Sequence, residues 1–222
     1  MALAVVLLSG GLDSCVTAAV ASQDFELALL HLNYGQRTVN RELAAFRAQA
    51  AYFQARQVLE ADLPVLGQIG GSSLTDLRLP IPETEESGAG LPSTYVPFRN
   101  TIFIAVAVAW AEVLGAEAIF IGANRIDGPG YPDCRPDYFA AYRRLITLGT
   151  ATQTRIDLRT PLLELNKADI VRLGLKLKAP LELTWSCYQA EDLACGRCAS
   201  CRIRLQGFAA AGAVDPIPYR RQ

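Results

Sequence analysis

The chain has 222 residues, 51% of them hydrophobic, and a formal charge of −1 from 21 basic and 22 acidic side chains. That is enough apolar material for one substantial core with a small appendage, which excludes a disordered chain. The balanced charge leaves no global footprint for nucleic acid, and no segment approaches the roughly 18 apolar residues of a membrane span.

The first predicted element is a buried strand, Ala2 to Leu8. It has no positively charged leader and runs straight into Ser9-Gly10-Gly11-Leu12-Asp13-Ser14, so it does not read as a signal peptide. A helix-like stretch, Asp13 to Ser22, follows. Two glycines let successive backbone amides turn inward, Ser9 and Ser14 add neutral donors, and a helix N-terminus adds partial positive charge. The loop is a cradle for an anion, and Leu8 to Cys15 is the expected ATP-binding stretch. A Walker-type loop would carry a lysine, and this one has none. S-G-G-x-D-S resembles instead the loop of the PP-loop ATP pyrophosphatases, a resemblance that implies cleavage between the α- and β-phosphates and transfer of AMP.

Further strands are expected at Leu27 to Asn33, Gln57 to Leu63, Ala118 to Gly122 and Arg155 to Leu158, and helices at Arg41 to Ala55, Asn100 to Leu114, Asp137 to Leu148 and Lys167 to Leu175. Gly115 and Gly149 stand where C-caps belong. The alternation predicts an α/β protein with a doubly wound, mostly parallel five-stranded sheet, whose ligands bind at the C-terminal strand ends. Residues 67–97 break the rhythm with clustered Gly, Pro, Ser and acidic residues and read as a lid-like insertion. The expected division is a 1–180 ATP-binding domain and a 181–222 cysteine-rich segment.

In that segment Cys187, Cys195, Cys198 and Cys201 form C-x7-C-x2-C-x2-C. Six cysteines in a chain expected to be cytoplasmic point to metal or catalysis before disulfides. Four thiolates suit a closed tetrahedral structural zinc site, with an iron–sulfur cluster as the rival; the usual fourth cluster ligand, three residues further on and before a proline, is missing. Cys15 is expected to pack as a small apolar residue, and His31, the single histidine, to sit in the core.

Four stretches at predicted strand ends or loops gather side chains that recognise planar polar ligands: Asn33 to Arg37, Tyr95 to Asn100, Gly122 to Asp127 with Gly130 to Pro136, and Thr160 to Leu162 followed by Lys167. Together they predict one pocket.

The S-G-G-x-D-S loop, Y-G-Q-R, V-P-x-R-N, G-Y-P-D-C-R-P and the terminal S-C-Y…C-G-x-C-x-x-C, in that order from Leu7 to about Cys201, resemble the 7-cyano-7-deazaguanine synthase family. The resemblance implies a ligase that joins 7-carboxy-7-deazaguanine and ammonia at the expense of two ATP, with no nucleic-acid or membrane partner; a homodimer is compatible with the chain and nothing in it fixes the state. It also implies roles. Asp13 would place magnesium, and Arg37, Arg99, Arg135 and Lys167 would steady polyphosphate and the substrate carboxylate. Asp127 or Asp133 would read the guanine-like edge, with Phe98 or Tyr131 stacked on the ring. Thr38 departs from the family, which commonly has histidine there. A PP-loop tRNA-modifying enzyme and a non-catalytic ATP sensor are the alternative readings, and Cys134 reads as a packed thiol or a covalent group.

Overall fold

The computed structural model describes residues 1–83, 90–125, 130–151, 153 and 155–220. Five strands form one sheet: β1 (Ala2–Leu7), β2 (Phe25–Asn33), β3 (Gln57–Asp62), β4 (Ala118–Ile121) and β5 (Asp157–Arg159). Their order is β3-β2-β1-β4-β5, and every pairing is parallel. β1 is central and almost wholly apolar because helices cover both of its faces. On one face Val5 and Leu7 pack with Ile104 and Phe139; on the other Ala4, Val6 and Leu8 pack with Phe46 and Ala18. β3 is an edge strand with alternating exposed residues.

The order reverses between β1 and β4, and it is at such a switch point that the connections diverge and leave a crevice at the C-terminal strand ends. α1 (Leu12–Ala21) leaves β1 at that crevice. α2 (Val39–Tyr52) follows β2, α4 (Arg99–Leu114) precedes β4, α5 (Pro136–Gly149) precedes β5, and α6 (Lys167–Lys176) follows it. Each expected helix is found within a few residues of its expected bounds. Gly115 does cap α4, with a left-handed φ of 65°, whereas α5 ends one residue later than expected: Thr150 is its cap and donates its amide to Ile146.

Two helices were not expected. α3 (Pro64–Ile69) is short, lies at the start of the irregular 67–97 stretch, and has too few turns to show a period. α7 (Ala199–Ala210) begins inside the cysteine motif, with Cys198 as its N-cap. Its Phe208 packs with Leu12 and Cys15 of α1 and Ile170 of α6, so the chain after residue 180 shares a core with the helix that follows the anion loop. No helix among the described residues is long and apolar enough to cross a membrane.

Candidate active site

The anion loop is built by local geometry. Gly10 has φ +88°, and a Cβ there would lie 2.5 Å from the Glu42 carbonyl, so only glycine lets the loop pass α2. Its own carbonyl accepts from the Trp185 amide at 2.9 Å and from Gln49 Nε2 at 2.9 Å, which fixes the turn from two sides. Ser9 and Ser14 hydroxyls meet at 3.0 Å, the Ser9 amide donates to Ser14 Oγ at 3.2 Å, and the Gly11 amide donates to Ser9 Oγ at 3.2 Å. No side chain caps α1. The amides of its first turn are therefore open to an anion, while Asp13 within that turn, paired with Lys167, offsets part of the dipole's positive charge.

The loop forms one wall of a cavity of about 360 Å³, a size suited to a small-molecule ligand. Leu8, Ser9, Gly11, Leu12, Asp13 and Ser14 line it, while Gly10 lies behind them and Cys15 is buried against Pro180. Burial pushes the Cys15 thiol up to about 12. Lys167, the first residue of α6, reaches across the cavity floor to Asp13, with Nζ at 2.8 and 2.7 Å from the two carboxylate oxygens. The pair remains reachable, at 17% and 24% exposure. Its lysine stem runs past Gly207 of α7, where an added Cβ would lie 2.4 Å from Lys167 Cγ. The lysine is aimed by packing.

Arg99 enters from the start of α4. It donates to Tyr34 Oη at 3.3 Å, and its guanidinium lies 5.7 Å from the Tyr34 ring and 5.9 Å from Phe103. Burial works against its charge, but the surrounding Tyr34, Tyr131 and Tyr188 hold it above the ordinary arginine value. Tyr131 lines the same cavity, bonds Thr94 at 2.8 Å and stacks on Tyr95 at 5.5 Å. Cys134 also lines it; Asn100 donates to its sulfur at 3.4 Å and burial raises the thiol to about 11, so it is protonated at neutral pH.

Other expected site residues stand elsewhere. Arg37 lies off the cavity wall and donates to the carbonyls of Ser73 and Asp76, both at 2.8 Å, and to that of Leu79, so it ties down the described start of the 67–97 segment. Phe98 is 60% exposed and left-handed at φ 60°. Asp133 is buried, accepts the Asn100 amide at 3.0 Å and so caps α4. Arg135 is exposed at the start of α5. Asp127 lies outside the described residues.

Sequence reasoning missed Glu42 and Tyr188, both cavity-lining. Glu42 stands five residues after Arg37 in the first turn of α2, where an acid looks like a helix-dipole complement. Tyr188 was hidden among the metal-site residues. His31 is fully buried, with Nδ1 3.0 Å from the Leu8 carbonyl and its ring 4.8 Å from Phe46, as a core histidine should be.

Beside the cavity, the sulfurs of Cys187, Cys195, Cys198 and Cys201 lie within 4.8 Å of one another. Around a tetrahedral ion with bonds of about 2.3 Å, sulfurs stand roughly 3.8 Å apart, and Cys195 and Cys201 are at 3.9 Å. The amides of Gln189, Cys195 and Cys198 point at these sulfurs at 3.3–3.4 Å. Hydrogen bonds from Cys198 and Cys201 hold the Cys187 thiol low, and that donation pushes Cys198 up to about 12. A divalent cation such as zinc would let all four ionise.

Known proteins resemble this chain along nearly its whole length. A 7-cyano-7-deazaguanine synthase from Chlorobium phaeobacteroides is 53% identical over 220 residues, covering 99% of this chain and 97% of its own. One from Nitratiruptor sp. is 53% identical over 218 residues, covering 98% of each. Among solved structures, the NMN synthetase from Francisella tularensis aligns at 17% identity with a TM-score of 0.46, over 81% of this chain and 62% of its own, too distant to add to the assignment. The model for "Queuosine biosynthesis protein QueC" matches residues 3–212. With more than half the residues identical along nearly the full length of both chains, this protein belongs to the QueC family of queuosine biosynthesis proteins.

Proposed function

We propose that the chain is an AMP-forming ligase that converts 7-carboxy-7-deazaguanine, ammonia and two ATP into 7-cyano-7-deazaguanine. The observation that carries this reading is a lysine-free anion loop at the sheet's switch point, opening onto one cavity that also holds Arg99 and a cluster of tyrosines. A carboxylate is a poor electrophile, so its oxygen attacks the α-phosphorus of ATP and pyrophosphate departs. The loop amides, the Ser9 and Ser14 hydroxyls and the α1 N-terminus would take up the charge of that leaving group. Asp13 would hold magnesium, which supplies charge neutralisation to the polyphosphate, and Lys167 would then turn from Asp13 to phosphate oxygens.

Ammonia attacks the activated carbon, AMP leaves, and an amide forms. Adenylation of the amide oxygen in the same cavity makes it a leaving group again, and loss of AMP and two protons gives the nitrile. Arg99, a half-buried cation among phenols, suits the substrate carboxylate or the adenylate phosphate. Tyr131 offers a ring face to the deazapurine, and Asp127 would give a carboxylate to its guanine-like edge. The four cysteines would hold a structural zinc. Incubation with the deazapurine acid, ammonium, ATP and magnesium tests the reading: acid-dependent release of AMP and pyrophosphate is expected, and release of ADP and phosphate, or of nothing, contradicts it.

A further inference from the structure

Ammonia is almost wholly ammonium at neutral pH, and ammonium has no lone pair with which to attack carbon. A ligase of the kind proposed above needs a group that binds the cation and takes its proton. The chain's single histidine is buried on β2 away from the cavity, and the cavity's Cys134 thiol is protonated. Among the described residues, two carboxylates line the cavity, Asp13 and Glu42. Asp13 has both oxygens on Lys167.

Glu42 is differently placed. Its main chain rests against Gly10 of the anion loop, and the residue lines the cavity that the loop and Arg99 also line. Thr38 donates to one carboxylate oxygen at 2.7 Å and Gln36 to the other at 3.1 Å. Both donors are neutral, and among the described residues Glu42 forms no ion pair. A carboxylate has about four lone-pair positions, so acceptor capacity is left over for a ligand. The charged groups around it are Arg99 from α4 and Glu191 from the C-terminal segment, with the Tyr34 phenol beside Arg99. Burial raises the Glu42 carboxyl above the usual glutamate range, with Thr38, Gln36 and Arg99 working the other way and Glu191 adding to the rise. That brings its proton affinity closer to neutral, as a base of this kind requires.

We infer that the Glu42 carboxylate is the ammonium-receiving group of this cavity, binding the cation, taking one of its protons and holding the ammonia for attack on the activated carbon. The inference rests on the ligase reading. In the step, an N–H bond of ammonium breaks and its proton goes to a Glu42 oxygen. The freed nitrogen pair forms the C–N bond, and the C–O bond to AMP breaks with its electron pair leaving on AMP. A second proton passes from nitrogen to solvent.

The test compares wild type and Glu42→Gln with ammonium and with hydroxylamine, which is mostly neutral at pH 7 and yields a hydroxamate. The variant should show a KM for ammonium raised at least about tenfold, with the acid side of the rate profile moved to higher pH, while hydroxylamine turnover stays within roughly threefold. Glu42→Asp, which keeps a carboxylate, should recover part of the ammonium response. An unchanged ammonium KM and pH profile overturns the inference, and so does equal loss of hydroxylamine turnover, which would make Glu42 a prop of the loop. A wild type that releases no pyrophosphate with the deazapurine acid overturns the ligase reading itself.

Discussion

Lys167 and Asp13 neutralise one another across the cavity floor, and the cost of separating them is offset only when both find new partners. Polyphosphate and a divalent cation are such partners. Lys167→Ala should lower turnover at least about tenfold, about 1.4 kcal/mol of barrier, with little change in melting temperature; pyrophosphate assays beside a melting curve check it, and wild-type turnover with a lowered melting point would make the pair structural. His31 gives a pH prediction. Burial lowers its folded value below the 6.5 of the free side chain, so the unfolded chain binds more protons as pH falls through that range. Stability from this residue is complete above pH 6.5 and declines below it toward the folded value. Melting temperature against pH should slope downward from 7 to 5, and His31→Gln should flatten the slope. Sequence reading found Asp13 and Lys167 because loop and helix start are local patterns; it could not see that Arg37 and Asp133 spend their charge on the Ser73 and Asp76 carbonyls and on the α4 amides, because those partners are 33 to 39 residues away.

At the level of elements, α7 joins the metal site to the chemistry. It is capped by Cys198, carries Cys201, lays Gly207 against the lysine stem and buries Arg204. Arg204 donates to Asp215 at 2.7 and 2.9 Å, with both side chains at most 3% exposed, and also to Thr184 and Ser186. Removing one partner of such a pair strands a buried charge, so Asp215→Ala should cost on the order of 3–5 kcal/mol in chemical denaturation. Chelation of the metal should go further: structural zinc supplies on the order of 10 kcal/mol to local folding, so the region from Cys187 onward should lose amide protection before the sheet does, with turnover falling alongside as Lys167 loses its backing. Hydrogen exchange after chelation reads this directly, and full protection with full turnover would detach α7 from the site. α7 was not legible in the sequence because its apolar residues are interleaved with Arg202, Arg204 and Gly207, and only the fold supplies the buried partners of Arg204 and the Lys167 stem beside Gly207. The five strands and five other helices were legible because sheet and helix periods are short-range.

For the whole molecule, the parallel order β3-β2-β1-β4-β5 opens the cavity at the C-terminal strand ends, as the apolar alternation in the sequence implied, and residues of the 67–97 stretch and of the C-terminal segment form its other walls. A formal charge of −1 gives the molecule as a whole no net attraction for polyanions. Transfer RNA should bind weakly, with a shallow dependence of affinity on salt, since each neutralised phosphate would add to the slope; a steep slope would favour an RNA-modifying activity. In the proposed reaction one cavity activates the same carbon twice. The most direct measurement is the ratio of pyrophosphate released to nitrile formed, with the amide supplied in a parallel reaction. Two pyrophosphates per nitrile from the acid, and one from the amide, is the predicted result; one pyrophosphate per acid with the amide as end product, or an amide that consumes no ATP, would contradict the account.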